Sequence, residues 1–458
     1  MGGAPWRSRW PPSAPWRWAR RSRSPSNRSK STARPAWQAG GLSGLRRRGL
    51  EEMGGSSQGR GEGLGHRTAV TGGRVLTPWR VLDPGTVVVE GDRIAAVLEG
   101  PAPDLGEAEQ IHAAGFLVVP GFVDIHIHGA AGHDTMDATP EALGGMARFL
   151  ARHGVTSFLP TTVAAKTEDI LAAVANVAAC QNRDLGGARV LGIHLEGPYL
   201  NPHWRGAQPL EHIRPAASGE YEQFFAWGNV RLVTLAPEVP ENRALIPYAV
   251  ERGAAVAVGH SAATYEEVME AVSLGLSQAS HTFNGMVPLH HRQPGAVGAA
   301  LTCEGIFAQV IVDLVHIHPA VVRLLVQAKG VRRTVLVSDA MRAAGLPDGS
   351  YDLGGQWVRV REGVARLDPG GSLAGSTLTL DRALANVVAA TGLPLEEALP
   401  MATAVPAASI GLEESLGTLE PGRWADLVLL DEAGHVQLTM VGGKVVYRSD
   451  KVPAPGAA

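Results

Sequence analysis

The sequence predicts an α/β protein built on a (β/α)8 barrel of the TIM type, with a small β-sandwich formed by both chain ends. Three observations lead to this prediction. Eight short apolar runs follow one another, helix-like amphipathic stretches such as Glu141–His153 and Tyr265–Leu274 alternate with them, and β-rich segments occur near both ends. Alternating strands and helices are typical of a parallel sheet flanked by helices, and eight such units make a barrel.

The 458 residues divide into four predicted segments. The first 50 residues carry 12 Lys or Arg and no Asp or Glu, and residues 1–66 show no apolar periodicity. We therefore expect residues 1–66 to be a disordered basic extension. A start codon assigned too far upstream, with Met53 as one candidate beginning, explains this segment better than a nucleic-acid-binding arm. Residues 67–120 and 405–450 are predicted to form the sandwich, and residues 121–404 the metal-dependent barrel.

The predicted barrel strands are apolar runs bounded by Gly, Pro and polar residues. The sandwich strands at the two ends, in contrast, contain segments such as "GTVVVEGDRIAAV" and "ADLVLLDEAGHVQLTMVGGKVVYR". Strands from the two ends can pair only if the ends meet in the fold. The eight runs are Phe122–His128, Val155–Pro160, Val190–Glu196, Arg231–Ala236, Ala255–His260, Ser277–Thr282, Ala308–Asp313 and Thr334–Asp339.

Composition excludes several classes of protein. With 45% hydrophobic and 19% charged residues, the chain can bury a large core. Its two cysteines, Cys180 and Cys303, are too few for a disulfide framework, which favours a reducing cytoplasm. No run of about 18 apolar residues is present, so we expect no membrane-spanning segment. We expect no nucleic-acid partner either, because an upstream start codon explains the basic extension better.

Six ionisable side chains close the predicted strands on the side where barrel enzymes place their active sites. Two of them lie two residues apart in "DIHIHG", so both imidazoles point to one face of an extended strand. Desolvating so many ionisable groups at one rim costs several kcal/mol each if they are unpaired, and divalent metals remove that cost. The six candidate metal ligands are His126, His128, Glu196, His260, His281 and Asp339.

The motifs around these residues resemble a known family. "PGFVDIHIHG", "HLEGPYLNP", "VGHSAAT", "HTFNGM", "HHRQPGAVGAAL", "VSDAM" and "LAGSTLTLDRAL" are similar to the amidohydrolase superfamily and, within it, to the N-acetylglucosamine-6-phosphate deacetylases. The resemblance runs from about Thr68 to Arg448. It implies a cytoplasmic enzyme that hydrolyses the N-acetyl group of an amino-sugar phosphate, typically as a homodimer.

The resemblance also implies roles for the six residues. One metal would be held by His126, His128, Glu196 and Asp339, and a second by Glu196 as a bridge together with His260 and His281. One or two divalent ions per subunit are expected, with zinc the default and iron, cobalt or manganese open. Asp339 is the expected catalytic base, which takes a proton from water and returns it to the amine.

Substrate contacts are implied at five further positions. The backbone amides of Asn284 and Gly285 and the guanidinium of Arg292 would meet the phosphate, and His316 would contact the sugar. Some relatives carry a histidine twelve residues after the bridging glutamate, where this chain has Gln208. An amide donates a hydrogen bond but carries no charge, so orientation of the substrate is the expected role of Gln208.

Three alternatives remain open from the sequence. An N-acetylgalactosamine-6-phosphate deacetylase differs only in the orientation of one substrate hydroxyl. A cyclic-amide hydrolase commonly uses a carbamylated lysine as the bridge, but no lysine occurs between Lys166 and Lys329. A catalytically inactive assembly module of the same fold should have lost metal ligands, and all six are present here.

Overall fold

The fold is described from a computed structural model, which describes residues 67–78, 80–100, 106, 108–181 and 183–453. The extension predicted at residues 1–66 lies outside the described residues. The strands are, in chain order, β1 Arg67–Leu76, β2 Val81–Glu90, β3 Arg93–Glu99, β4 Glu109–His112, β5 Leu117–Pro120, β6 Phe122–Ile127, β7 Gly129–Ala130, β8 His133–Asp134, β9 Val155–Pro160, β10 Arg189–Val190, β11 Ile193–Glu196, β12 Val230–Leu235, β13 Ala255–Val258, β14 Gln278–Ala279, β15 Phe307–Val310, β16 Thr334–Leu336, β17 Gly349–Leu353, β18 Gln356–Arg361, β19 Val364–Leu367, β20 Leu427–Leu430, β21 Val436–Val441 and β22 Lys444–Arg448.

The helices begin and end where the sequence supplies caps. Thr139 accepts a hydrogen bond from the third residue of the first helix, and Thr264 and Glu267 form a reciprocal capping box at the fifth. Within the described ranges, no helix is both long and apolar enough to cross a membrane. The α-helices are α1 Pro140–Arg152, α2 Thr167–Cys180, α3 Ser218–Phe225, α4 Leu245–Glu251, α5 Tyr265–Ser273, α6 Gly295–Thr302, α7 Pro319–Lys329, α8 Leu380–Thr391, α9 Leu395–Ala398 and α10 Ala404–Ser409.

Strands from both chain ends lie in one eight-stranded sheet. Its order is β22-β21-β20-β5-β1-β2-β3, and β4 also pairs with β1. The ends meet where β5 pairs in parallel with β1 and antiparallel with β20. Apolar side chains such as Val70, Val118, Leu427 and Leu438 form the core of this sheet. The boundaries of the two sandwich segments stay a prediction.

The strands between β6 and β16 that form the two central sheets are parallel and alternate with helices, so the α/β prediction is confirmed. They form a three-stranded sheet, β10-β9-β6, and a six-stranded sheet, β11 to β16 in order. Backbone hydrogen bonds join the two sheets at both edges. On one side Thr162 N donates to His194 O at 3.0 Å, and on the other Asp339 N donates to His126 O at 2.9 Å.

Several strands are shorter than the apolar runs that predicted them. β9 has the bounds of its run, whereas β14 comprises only Gln278–Ala279 and β16 ends at Leu336. The third run is divided into β10 and β11, with Gly192 at a φ of 142° between them. Beyond each short strand the chain turns instead of extending, and these turns carry the polar residues of the candidate site.

A further antiparallel sheet, β17-β18-β19, follows the last parallel strand and was not predicted. Alternate residues of β18 are buried, and Val358 and Val360 pack with Leu353 and Met341 in a separate apolar cluster. This small sheet places Leu353 beside the cavity described below.

Candidate metal centre and active site

The six predicted metal ligands meet at the carboxyl ends of the parallel strands. His126 lies within β6, Glu196 ends β11, and the other four follow the ends of β6, β13, β14 and β16 by one to three residues. All six residues are at most 7% exposed. The order of the strands therefore brings residues that are spread over more than 200 positions of the sequence together in one buried cluster.

Three of these residues have left-handed backbone conformations. The φ angles are 48° at His260, 29° at His281 and 48° at Asp339. For a residue with a Cβ this conformation costs about 1–2 kcal/mol, and such strain clusters at functional sites. The turns aim each side chain inward from just beyond its strand, and backbone hydrogen bonds such as Ser261 N to Gly285 O at 2.9 Å hold them.

The imidazole rings are held with Nε2 toward the centre of the cluster. A carbonyl oxygen can only accept a hydrogen bond, so a ring whose Nδ1 contacts one must carry its hydrogen on Nδ1. The lone pair of Nε2 is then free to bind a metal. Nδ1 of His128 lies 3.3 Å from Thr161 O, that of His260 lies 3.0 Å from Trp204 O, that of His281 lies 3.0 Å from Asn284 O, and that of His126 lies 3.1 Å from the side-chain Oε1 of Gln309.

Glu196 lies between the histidines and faces them with both oxygens. Its Oε2 lies 3.2 Å from His128 Nε2, whereas Oε1 faces the other three rings. Asp339 contributes Oδ1, which lies 3.2 Å from His128 Nε2 and 3.6 Å from His126 Nε2. The Oε1 distances are 3.3 Å to His126 Nε2, 3.4 Å to His260 Nε2 and 3.0 Å to His281 Nε2.

This donor set fits divalent metal ions. Two ligands each about 2.1 Å from an ion lie about 3.4 Å apart at the tetrahedral angle, close to the spacings above. The Nε2 atoms of His260 and His281 lie 3.1 Å apart, a contact that two lone pairs favour only with a cation between them. Among the described residues, the buried atoms Nε2 of His126 and Oδ1 of Asp339 have no hydrogen-bond partner. Such orphaned atoms are rare unless a ligand satisfies them.

The electrostatics of the cluster also favour a cation. Burial alone would raise the pKa of Glu196, but the facing rings, His126 foremost, hold it well below its ordinary value. Burial alone would lower the pKa of His128, yet the adjacent carboxylates of Asp339 and Glu196 raise it well above its ordinary value. Both directions mean that two buried carboxylates stabilise positive charge between them.

A cavity of about 310 Å³ opens onto the cluster. Five of the six predicted ligands line it, and the sixth, His126, lies wholly buried behind them. Four of the five predicted substrate residues also line it: Gln208, Asn284, Gly285 and His316. Arg292 does not line the cavity. It is exposed, and its Nη1 lies 2.8 Å from His291 Nε2.

The sequence matches the model of the amidohydrolase family over residues 117–446. The chain belongs to the amidohydrolase family. Amidohydrolases of this family use a divalent metal, in keeping with the candidate ligands found here. A non-catalytic module remains disfavoured, because no predicted ligand is missing from the cluster.

Three similar proteins are deacetylases of amino-sugar phosphates. An N-acetylglucosamine-6-phosphate deacetylase of Vibrio furnissii is 41% identical over 73% of this chain and 84% of its own length. An N-acetylgalactosamine-6-phosphate deacetylase of Escherichia coli O157:H7 is 42% identical over 72% of this chain and 87% of its own. A solved Mycobacterium smegmatis N-acetyl-D-glucosamine-6-phosphate deacetylase variant, in complex with that sugar phosphate, is 36% identical, with a TM-score of 0.78 over 83% of this chain and 100% of its own.

Gln208 and Asn284, which line the cavity of this amidohydrolase, already make hydrogen bonds within the protein. The Gln208 amide accepts from Ala164 N at 2.7 Å and donates to Glu196 Oε2 at 2.8 Å, so it orients the Glu196 carboxylate. The backbone N–H of Asn284 donates to His281 O at 2.9 Å within a turn. Their contacts with substrate stay predictions, as does that of Gly285.

Sequence reasoning missed the residues that support His316 and the candidate metal ligand His126. Asp313 lies 2.7 Å from His316 Nδ1 and fixes that ring against the cavity. Burial lowers the pKa of His316, but the Asp313 carboxylate more than offsets this and raises it above its ordinary value. Gln309 and Gln278 lie behind His126. A glutamine in the middle of an apolar run, as in "FAQVIV", is the signal that could have identified them.

Proposed function

We propose that this amidohydrolase removes the acetyl group of N-acetylglucosamine-6-phosphate, giving glucosamine-6-phosphate and acetate. The observation that carries the proposal is the buried set of four imidazoles and two carboxylates at the base of a 310 Å³ cavity. Deacetylases that are 36% and 41% identical over most of this chain support the substrate.

Two divalent ions, with zinc as the default, are part of the proposal. His126, His128 and Asp339 would hold the first, His260 and His281 the second, and Glu196 would bridge them. Bound there, the metals would polarise the acetamide carbonyl and lower the pKa of a water. Iron, cobalt and manganese also suit histidine and carboxylate donors.

Asp339 is the proposed general base. Its carboxylate lines the cavity, and only one of its two oxygens is needed to hold the first ion. Attack by water on the acetamide requires removal of a proton, and the departing amine requires one, because an amide anion is not expelled at neutral pH. One carboxylate beside the scissile bond can carry that proton between the two steps.

The substrate is proposed to be oriented by four residues around the cavity. Gln208 retains a second amide hydrogen after its bond to Glu196, His316 is held by Asp313, and Asn284 and Gly285 lie on the turn between β14 and α6. Asn284 and Gly285 are proposed to face the phosphate and His316 the sugar, and a phosphate dianion also calls for a cation.

We propose that Arg292 supplies this cation in a cytoplasmic homodimer. Arg292 is exposed and does not line the cavity of its own subunit. A second copy packed against this face would bring its own Arg292 to the phosphate, where the guanidinium fork suits a dianion. Light scattering of the purified chain tests the dimer, which a monomer at micromolar concentration would contradict.

Closure of the two parallel sheets into a (β/α)8 barrel, with β10 and β11 taken together as one divided strand, is likewise proposed. The hydrogen bonds at both edges of the two parallel sheets support it, as do the solved relatives. The barrel explains why the six candidate ligands converge, since barrel enzymes build their sites at the carboxyl ends of the strands. Residues 67–120 and 405–450 would form the accompanying sandwich.

The proposed reaction is tested by acetate release from N-acetylglucosamine-6-phosphate, with the galacto epimer assayed in parallel. We expect the gluco substrate to have the higher kcat/KM. A higher value for the galacto epimer would favour the second candidate, whose E. coli relative is 42% identical. Absence of acetate from both would reject the proposal.

A further inference from the structure

A chain of three buried hydrogen bonds runs from His126 to the backbone of Ser409. His126 Nδ1 lies 3.1 Å from Gln309 Oε1, Gln309 Nε2 donates to Gln278 Oε1 at 2.9 Å, and Gln278 Nε2 donates to Ser409 O at 2.8 Å. The side chains of His126, Gln309 and Gln278 belong to residues that are 0% exposed, so bulk water does not compete for these bonds. Gln278 and Gln309 lie on the neighbouring parallel strands β14 and β15.

The direction of this chain is fixed at its far end. The Ser409 carbonyl can only accept, so Gln278 must turn its amide nitrogen toward Ser409 and its oxygen toward Gln309. Gln309 must then donate to Gln278 and present its own oxygen to His126. Reversing either amide would bring two acceptors together in a buried site, which costs about 1–3 kcal/mol for each unsatisfied group.

We propose that Gln278 and Gln309 are positioning residues that hold His126 in the tautomer with its hydrogen on Nδ1. The Nε2 lone pair of His126 then faces Glu196 and Asp339, as a metal ligand requires. This inference rests on the proposed metal centre. The other three rings are held by backbone carbonyls, so His126 is the one ligand of the four whose tautomer depends on side chains.

The opposite tautomer would compete with metal binding. With its hydrogen on Nε2, His126 would donate to Glu196 Oε1, 3.3 Å away, and satisfy both groups without an ion. A metal would then have to break this hydrogen bond and displace the proton. The two glutamines disfavour this tautomer before an ion binds, and the folding of β14 and β15 supplies the free energy that this requires.

Substitution of Gln278 tests the inference, because this residue touches neither His126 nor the cavity. Gln278→Met keeps the length of the side chain but frees Gln309 to reverse its amide. Gln278→Glu is the matched control: as a buried neutral acid it can still donate to Ser409 O and accept from Gln309. Zinc binding to each full-length protein is measured by competition with a chelator, and the thermal midpoint is recorded beside it.

We expect Gln278→Met to weaken the site of His126, His128 and Asp339 by about 10–100-fold, the usual effect of losing a group that orients a ligand. The site of Glu196, His260 and His281 should keep its affinity, and Gln278→Glu should bind both ions within about threefold of the native protein. Native affinity at both sites in Gln278→Met, or equal weakening of both, would overturn only the proposed positioning role of the two glutamines. A native protein that binds no zinc would overturn the proposed metal centre together with it.

Discussion

The substitution Asp339→Asn tests whether Asp339 is the base while leaving the fold intact. The substitution keeps the shape of the side chain and removes the charge that accepts a proton. Because Oδ1 has no hydrogen-bond partner among the described residues, the change breaks no hydrogen bond at that atom. An amide nitrogen there could donate to His128 Nε2, 3.2 Å away, so the chain should fold.

The expected loss follows from two proton transfers through one carboxylate. Loss of a general acid–base group typically lowers the rate by about 10²–10⁴-fold, equivalent to about 3–5 kcal/mol of transition-state stabilisation. We expect at least this reduction in kcat. The ion held by Glu196, His260 and His281 should remain, because Asp339 is not among its proposed ligands.

The assay measures acetate release and metal content on the same preparation. Asp381→Asn is a matched control: Asp381, in α8, has its Oδ2 3.1 Å from Nδ1 of His153 at the end of α1, and Asp381 does not line the cavity. The control should keep kcat/KM within about threefold, as expected for under 1 kcal/mol. Near-native turnover by metal-loaded Asp339→Asn would refute the proton path. If activity disappeared only together with metal, Asp339 would be a ligand but not the base.

Three further predictions concern the phosphate, the second metal and stability. Arg292→Ala should raise KM for the phosphorylated substrate far more than KM for unphosphorylated N-acetylglucosamine, by a factor equivalent to about 2–4 kcal/mol if the charge pair is desolvated; equal effects in steady-state kinetics would make the residue structural. Gly285→Ala places a Cβ 2.8 Å from His260 Nδ1 at a φ of 61°, so turnover should fall about 10²-fold with loss of the second ion, and native metal content would contradict this. Burial alone would raise the pKa of the Glu220 carboxyl, but hydrogen bonds, those from Arg214 foremost, hold it below its ordinary value. The ionised Glu220 therefore stabilises the folded state above about pH 4.3, and this contribution is lost as pH falls through the lower pKa of the folded protein. Glu220→Gln should therefore cost about 1–3 kcal/mol at pH 7 and progressively less in acid, and a pH-independent difference in thermal midpoint would refute the pairing.

The order of strands and helices was readable from the sequence because apolar periodicity reports burial directly. β9 has the bounds that its run predicted, since Val155–Pro160 is buried at every residue. The overprediction of β14 and β16 has a physical reason. His281 and Asp339 have left-handed φ angles, and a pattern of apolar and polar residues carries no signal for such a turn.

The candidate ligands were readable for a different reason. A histidine or acid at the end of an apolar run is costly to bury, so each position was conspicuous by its chemistry. The hydrogen bonds of supporting residues join segments that are distant in the sequence, so the sequence does not reveal them. Gln208 is an example: its bonds to Ala164 N and Glu196 Oε2 join segments 44 and 12 residues away.

The small sheet β17-β18-β19 could have been predicted but was not. Its strand Gln356–Arg361 reads "QWVRVR", an alternation with period two that is typical of a half-buried strand. Its place beside the cavity depends on packing of Leu353 and Val358 against Met341, next to Asp339. Such packing is a tertiary property and appears only in the structure.

The central claim is that the cluster around Glu196 is a metal centre that deacetylates an amino-sugar phosphate. Titrating zinc into the chelator-treated full-length protein, while acetate release from N-acetylglucosamine-6-phosphate is followed, tests it most directly. We expect activity to be absent at first and to rise with bound zinc, reaching its maximum near two ions per chain. Full activity without bound metal, or two bound ions without acetate release, would contradict the claim.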